Sequence, residues 1–173
     1  MGAGSVPASH PLIMGMMGLH GGFAVNNAIQ DADLLIACGM RFDDRVTGNV
    51  KTYSPNSKKI HIEIDPSEIN KNVPVDVGIP CDLRTAMTQL LPHISRKQTN
   101  EWIKTISGWQ SESLERDIIN VQTDKLYGAQ VIRDIWKETN GDALIVTDVG
   151  QHQMLEAQYY DHEEPNTLLT SGG

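Results

Sequence analysis

Two arginines and two aspartates fall within the short run Gly39-Met40-Arg41-Phe42-Asp43-Asp44-Arg45-Val46-Thr47-Gly48. A planar guanidinium donates in a fork that matches phosphate oxygens, which the point charge of a lysine does not. The arginines could therefore grip phosphate or ribityl oxygens, while the carboxylates accept hydroxyl hydrogen bonds or orient the arginines. A solvated turn with Arg–Asp pairs worth about 0–1 kcal/mol would use the same residues. Position favours the ligand. The β-rich run Asp33-Leu34-Leu35-Ile36-Ala37-Cys38 leads straight into the loop, and open parallel sheets bind ligands beyond the carboxyl ends of their strands.

Three other segments could carry chemistry. In Met14-Gly15-Met16-Met17-Gly18-Leu19-His20-Gly21-Gly22, glycines allow close backbone approach, and a helix starting near residue 22 would aim N–H groups at an anion. This is not the GxGxxG fingerprint, and a Gly/Met-rich loop packed on a core has the same composition. In His61-Ile62-Glu63-Ile64-Asp65-Pro66-Ser67-Glu68, Glu63 falls near a strand end, a usual place for an acid that bonds a ribose hydroxyl. Its distance from the glycine loop, about 40 residues, is twice the usual dinucleotide spacing of about 20. Asp65-Pro66-Ser67 also reads as simple helix entry, and Asp82, past the next strand, fits either role. In Thr147-Asp148-Val149-Gly150-Gln151-His152-Gln153-Met154 a strand ends, a glycine turns the chain and a helix opens, which is a diphosphate cradle or an ordinary strand–helix turn.

These segments need elements to hold them. Besides 33–38, β-rich runs cover 59–64 and 75–79. Leu83, Ala86, Met87, Leu90, Leu91 and Ile94 form one apolar helical face. Strands alternating with helices predict a mainly parallel sheet covered on both faces. A polar linker, Ser95 to Asn100, precedes a helix marked by Trp102, Ile103, Ile106 and Trp109, with a second break at 117–124. A helix over 127–139 closes at Asn140-Gly141-Asp142 in the manner of a C-cap. Strands at 143–147 and 167–170 flank a helix from about Gln151, and Ser171-Gly172-Gly173 reads as a turn. The last region has only two strands, so truncation is expected, and Met1 opens directly onto a loop. The fold expected is α/β: a Rossmann-like parallel sheet with flanking helices over 1–95, a linker with a helix over 96–126, and a truncated second α/β region over 127–173.

Bulk properties exclude several classes. The formal charge is −8 with no clustered basic patch, against binding of nucleic acid. No stretch reaches the roughly 20 apolar residues of a membrane span, and the N-terminus has no signal-peptide pattern. Cys38 and Cys81 end apolar runs, where small buried thiols in a reducing, cytoplasmic compartment are expected.

Taken in order, the four segments resemble the catalytic subunit of acetohydroxyacid synthases (acetolactate synthases). Arg41–Gly48 and Gly150–Met154 are the specific motifs, and the match is weakest across about 96–126. The resemblance implies an internal piece: part of a central FAD-binding domain, then the start of the thiamine-diphosphate domain. Residue by residue it implies that Met17, Gly18, Leu19 and His20 line the flavin of FAD. Gly39, Met40, Arg41, Asp43, Arg45 and Val46 would hold the pyrophosphate-ribityl part, and Glu63, Ile64, Glu68, Asp82 and Leu83 the adenosine end. Val149, Gly150, Gln151 and His152 would contact the diphosphate of thiamine diphosphate. The reaction implied decarboxylates pyruvate and joins the two-carbon unit to a second 2-keto acid in branched-chain amino acid biosynthesis. Its catalytic glutamate and its Mg2+ motif are not in these residues, so the chain alone is expected to be inactive. A homo-oligomer, and a regulatory subunit in the parent enzyme, are implied as partners. Departures include Met17 and Leu19 exchanging the usual pair, Phe23 after Gly22, Cys81 for a common glycine, and Leu155 for a usual tryptophan. Rival readings are another flavin-using thiamine-diphosphate enzyme such as pyruvate oxidase, or a non-catalytic nucleotide-binding module.

Overall fold

The computed structural model describes residues 2–122 and 124–171. The loop expected at Met1, the turn at Gly172-Gly173 and Thr123 of the expected break lie outside the described residues. The architecture is mixed α/β, and the chain divides into two compact units, one of residues 27–105 and one of 2–26 with 106–171. In order the elements are α1 (Phe23–Asp31), β1 (Leu34–Cys38), α2 (Asp44–Thr47), β2 (Lys58–Glu63), β3 (Val77–Pro80), α3 (Leu83–Leu90), α4 (Asn100–Glu115), α5 (Gly128–Thr139), β4 (Ile145–Thr147), α6 (Gln151–Tyr159) and β5 (Leu168–Thr170).

In the 27–105 unit, β1, β2 and β3 form a parallel sheet in that order, with Leu34 opposite Lys58 and Ile60 opposite Val77. Side chains alternate across a strand, so Leu35, Ala37, Lys59, His61 and Glu63 share one face. That face carries the core: Ala37, Phe42, Tyr53 and Val73, with Ile29, Leu35, Met40 and Val75 packed around them. Lys59 is buried there, and its ammonium donates to the Ser54 and Ser57 carbonyls at 2.7 and 3.2 Å, which replace its lost water. β3 starts two residues later than the apolar run because the Val75 N–H donates to Asn70 Oδ1 (2.8 Å) instead of the ladder.

The opposite face corrects two expectations. α3 packs on β2, where Ile62 and Ala86 are buried, but Leu34, Ile36 and Val77 remain about half exposed. The sheet is therefore not covered on both faces among the described residues. Cys38 shares this open face with Leu34 and Ile36 and is exposed, and Cys81 is half-buried. Neither is the buried thiol that the flanking apolar runs suggested.

In the other unit, β4 and β5 pair in parallel, Ile145 opposite Leu168, and α5 packs on α6. β4 begins at Ile145 rather than Ala143 because its partner strand is only three residues long. α5 ends as expected: Asn140 is left-handed (φ 51°) and the Gly141 N–H closes on the Trp136 carbonyl at 2.9 Å. The Trp136 indole donates to the Asp161 carbonyl, and Arg133 lies over its ring while pairing with Asp161 at 2.6 Å.

Candidate functional site

Parallel strands end together. Cys38 is level with Ile62, and Glu63 with Pro80. The segments that follow β1, β2 and β3 therefore emerge along one edge of the 27–105 sheet, and each bears residues expected to hold a ligand.

After β1 the chain is held residue by residue. Gly39 is left-handed (φ 62°), and its N–H donates to the Ile62 carbonyl at 2.9 Å. The Met40 carbonyl accepts from His61 Nε2 at 2.8 Å, and the Arg41 carbonyl from Asn72 Nδ2 at 3.2 Å. Phe42 is left-handed too (φ 51°), a conformation that costs a bulky residue about 1–2 kcal/mol. Its ring is 2% exposed and meets His61 and Tyr53 edge-on, with centroids 5.0 and 6.0 Å away. Burying a phenylalanine is worth about 1.5–3 kcal/mol, which outweighs the strain. Asp43 caps α2, its Oδ1 accepting from the Arg45 and Val46 N–H groups, and the Thr47 hydroxyl donates back to the Asp43 carbonyl.

The two guanidinium groups stay loosely paired. Arg41 reaches Asp43 only at 3.7 Å and Arg45 reaches Asp44 at 3.9 Å, with both arginine side chains more than half exposed. Such pairs compete weakly with an anion.

After β2, Glu63 is buried and its Oε1 accepts from the Asp65 N–H, while Ile64 is exposed. Glu68 pairs with Lys71 through one oxygen and leaves Oε2 buried without a partner among the described residues. After β3, Asp82 caps α3 by accepting from the Thr85 N–H, beside the exposed Leu83. Asp65 caps the turn at Pro66–Glu68 in the same way, through the Ser67 N–H, and hydrogen bonding from Ser67, its hydroxyl first and then its N–H, holds the carboxyl below the usual range. The helix-entry role of Asp65-Pro66-Ser67 is thus realised.

The glycine-rich segment belongs to the other unit. Asn26 closes it: Oδ1 accepts from the Gly18 N–H at 2.8 Å, and Nδ2 donates to the Gly18 and Gly21 carbonyls. The Gly18 N–H is thereby taken up within the turn, ahead of the helix that starts at Phe23. A Cβ at Gly21 would lie 2.5 Å from the Met16 carbonyl oxygen, so the turn admits no side chain there. Met17, Gly18 and His20 are half-buried and Leu19 is exposed. His20 lines a cleft of about 530 Å3 with Met14, Met16, Phe23, Arg116 and Tyr159. The Tyr159 hydroxyl donates to Asp117 at 3.1 Å, and its pKa is pushed up to about 12, by burial first and then by Asp117.

At the start of α6, Val149, Gly150, Gln151 and His152 are all exposed. Gly150 (φ 150°) precedes the helix, and the Val149 N–H is bonded by Asp148 Oδ1 at 2.7 Å. Gln153 donates to the Thr170 hydroxyl and the Ser171 carbonyl, and Thr147 donates to the same hydroxyl at 2.6 Å. These bonds tie the first turn of α6 to the ends of β4 and β5.

Four positioning residues, Asn26, His61, Asn72 and Gln153, were not singled out from the sequence. His61 alone left a signal, a polar residue between Ile60 and Ile62 in a buried strand. Among the described residues, no group of three or more His, Cys, Asp or Glu side chains could hold a metal ion. No helix there is long and apolar enough to cross a membrane.

Comparison with known proteins assigns the chain a family. Residues 1–90 match the thiamine pyrophosphate enzyme central domain. The chain belongs to that family. It is similar over its whole length to acetolactate synthase large subunits: 43% identical to that of Corynebacterium glutamicum, 41% to that of Lactococcus lactis, and 37% to isozyme 3 of Escherichia coli. It spans 28%, 30% and 31% of those relatives, respectively. The sheet edge described above lies within the part that matches the central-domain family.

Proposed function

We propose that the chain is part of the catalytic subunit of an acetolactate synthase, and that its 27–105 unit holds FAD along the carboxyl edge of the sheet. One observation carries this reading: three adjacent strand ends present two loosely paired guanidinium groups, a buried acid and a capped helix start on one edge. The donor set fits the cofactor. Arg41 and Arg45 would hold the pyrophosphate, with Gly39, Met40, Asp43 and Val46 shaping their loop. Glu63, Ile64, Glu68, Asp82 and Leu83 would surround the adenosine, and the unpartnered Glu68 Oε2 suits a hydroxyl donor. Met17, Gly18, Leu19 and His20 would meet the flavin.

Val149, Gly150, Gln151 and His152 would contact the diphosphate of thiamine diphosphate at the exposed start of α6, held there by Gln153. When bound, that cofactor supplies the electron sink for decarboxylating pyruvate and transferring the two-carbon unit to a second 2-keto acid. What these residues would contribute is position and hydrogen bonds. Mg2+ would be held by residues of the parent enzyme other than these. Assembly as a homo-oligomer with a regulatory subunit, in the cytoplasm, goes with the same reading.

Titrating the purified chain with FAD at micromolar concentrations tests it. Quenching of flavin fluorescence and a shifted flavin absorption band are expected. Their absence would favour a central domain that has lost its ligand.

A further inference from the structure

We propose that His61 is a positioning residue for the anion-gripping loop: by holding the Met40 carbonyl inward it turns the Arg41 backbone N–H outward, beside the two guanidinium groups. This rests on the reading of that loop as a pyrophosphate site.

His61 is completely buried in the middle of β2, level with Ala37 and Gly78. Among the described residues the one hydrogen bond of its side chain reaches out of the strand to the Met40 carbonyl, 2.8 Å from Nε2. Since a carbonyl can only accept, Nε2 carries a proton. Nδ1 is buried with no partner among the described residues. A fully buried polar ring with one satisfied nitrogen destabilises the core relative to an apolar residue of the same size. The bond at Nε2 is what the ring contributes in return.

That bond sets a peptide plane. A trans peptide points its C=O and N–H in opposite directions, so a Met40 carbonyl aimed at the core sends the Arg41 N–H away from it. No hydrogen bond from this N–H is formed among the described residues. The neighbouring ties converge on the same place. Gly39 is bonded to Ile62, next to His61, and the left-handed Phe42 rests edge-on against the His61 ring. Rotating the Met40–Arg41 peptide would break the His61 bond and turn the N–H toward Nε2, which in this tautomer is itself a donor. The loop is thus fixed with a backbone donor and two guanidinium groups on its outer side, the set a diphosphate needs.

Three variants separate the nitrogen's role from simple filling. His61→Gln places an amide N–H near the Nε2 position, His61→Asn reaches only as far as Nδ1, and His61→Leu fills space alone. Expected for His61→Gln is FAD affinity within about 3-fold of the unaltered chain, against about 10-fold weaker binding for Asn and Leu, the worth of one hydrogen bond. Amide hydrogen exchange across 39–46 should quicken in Asn and Leu and stay slow in Gln. Equal affinity and equal exchange in all three would overturn the proposal. Nitrogen NMR of the unaltered chain gives a test that needs no variant: His61 must carry its proton on Nε2 with Nδ1 bare, and the opposite tautomer refutes the assignment. If the unaltered chain binds no FAD, the function proposed above fails, while the exchange and NMR results still decide what His61 does to the loop.

Discussion

Glu156 Oε1 lies 2.6 Å from His162 Nε2, and both side chains are almost fully buried. The far side of the ring extends the contact. The Thr167 hydroxyl donates to the Glu164 carbonyl, so its oxygen accepts from His162 Nδ1 at 2.7 Å. Tyr160 packs against the ring at 4.9 Å, and the nearby acids Asp161 and Glu163 are engaged elsewhere, by Arg133 and Ser9. With Nδ1 committed as a donor, the pair shares whatever proton sits between Nε2 and the carboxyl. Burial pushes the Glu156 carboxyl up, against the opposing pull of His162.

The sign of the pH effect follows. A raised pKa means the folded chain binds this proton more readily than the unfolded one. Stability from Glu156 is then full below its ordinary value of 4.5 and is lost as pH rises through the raised value. Glu156→Gln keeps a donor toward Nε2 without titrating, so it should cost less than about 1 kcal/mol and gain on the unaltered chain as pH rises above that ordinary value. Glu156→Ala strands a buried ring and should cost about 3 kcal/mol. Urea denaturation of the three chains across pH 4 to 8 reads both effects. A Gln variant that tracks the unaltered chain at every pH would refute the linkage.

Phe42 holds a left-handed backbone only because its ring is buried. Phe42→Ala should cost about 3 kcal/mol, somewhat less than a strain-free phenylalanine would, since the smaller residue also relaxes. Loss of the ring uncovers His61 and Tyr53, so FAD binding should weaken with stability. Urea unfolding gives the first number and flavin fluorescence the second. A Phe42→Ala chain of unchanged stability would show that the ring does not hold the loop.

What the sequence could reveal follows from how far each interaction reaches. β1, the run after it and the Asn140-Gly141 helix end were legible because local period and turn chemistry decide them. His61 to Met40 and Gln153 to Thr170 join residues 21 and 17 apart across crossovers, and no local pattern encodes such pairs. Cys38 shows another limit. Alternation placed it on a definite face of β1, but not which face would be covered, and it lies on the open one. Glu156 and His162 lie close in sequence yet straddle the end of α6, so helical spacing does not pair them.

Asp43 illustrates a carboxylate that works inward. Its Oδ1 accepts from two backbone N–H groups of its own loop. Asp43→Asn keeps an acceptor and should leave stability within about 0.5 kcal/mol, whereas Asp43→Ala loses the cap and about 1 kcal/mol. Exchange of the Arg45 and Val46 amides should quicken only in the alanine variant. Equal exchange in both variants would mean that the cap does not order the loop.

Arg41 and Arg45 offer the sharpest contrast between stability and binding. Their carboxylate partners are distant and their side chains exposed, so replacing either by alanine should change stability by less than about 0.5 kcal/mol. If both grip one pyrophosphate, each replacement should weaken FAD binding about 10-fold, since charge-assisted bonds are the stronger kind. Arg→Lys should recover only part, because a point charge cannot make the paired contact. The double variant should lose less than the product of the two single losses, as expected for groups sharing one ligand. Flavin-fluorescence titrations of the unaltered chain, the two alanine variants, the two lysine variants and the double alanine variant, at two salt concentrations, measure all of this. Independent, multiplicative losses would show that the arginines act on separate parts of the ligand. Undiminished binding in the double variant would remove this loop from the site altogether.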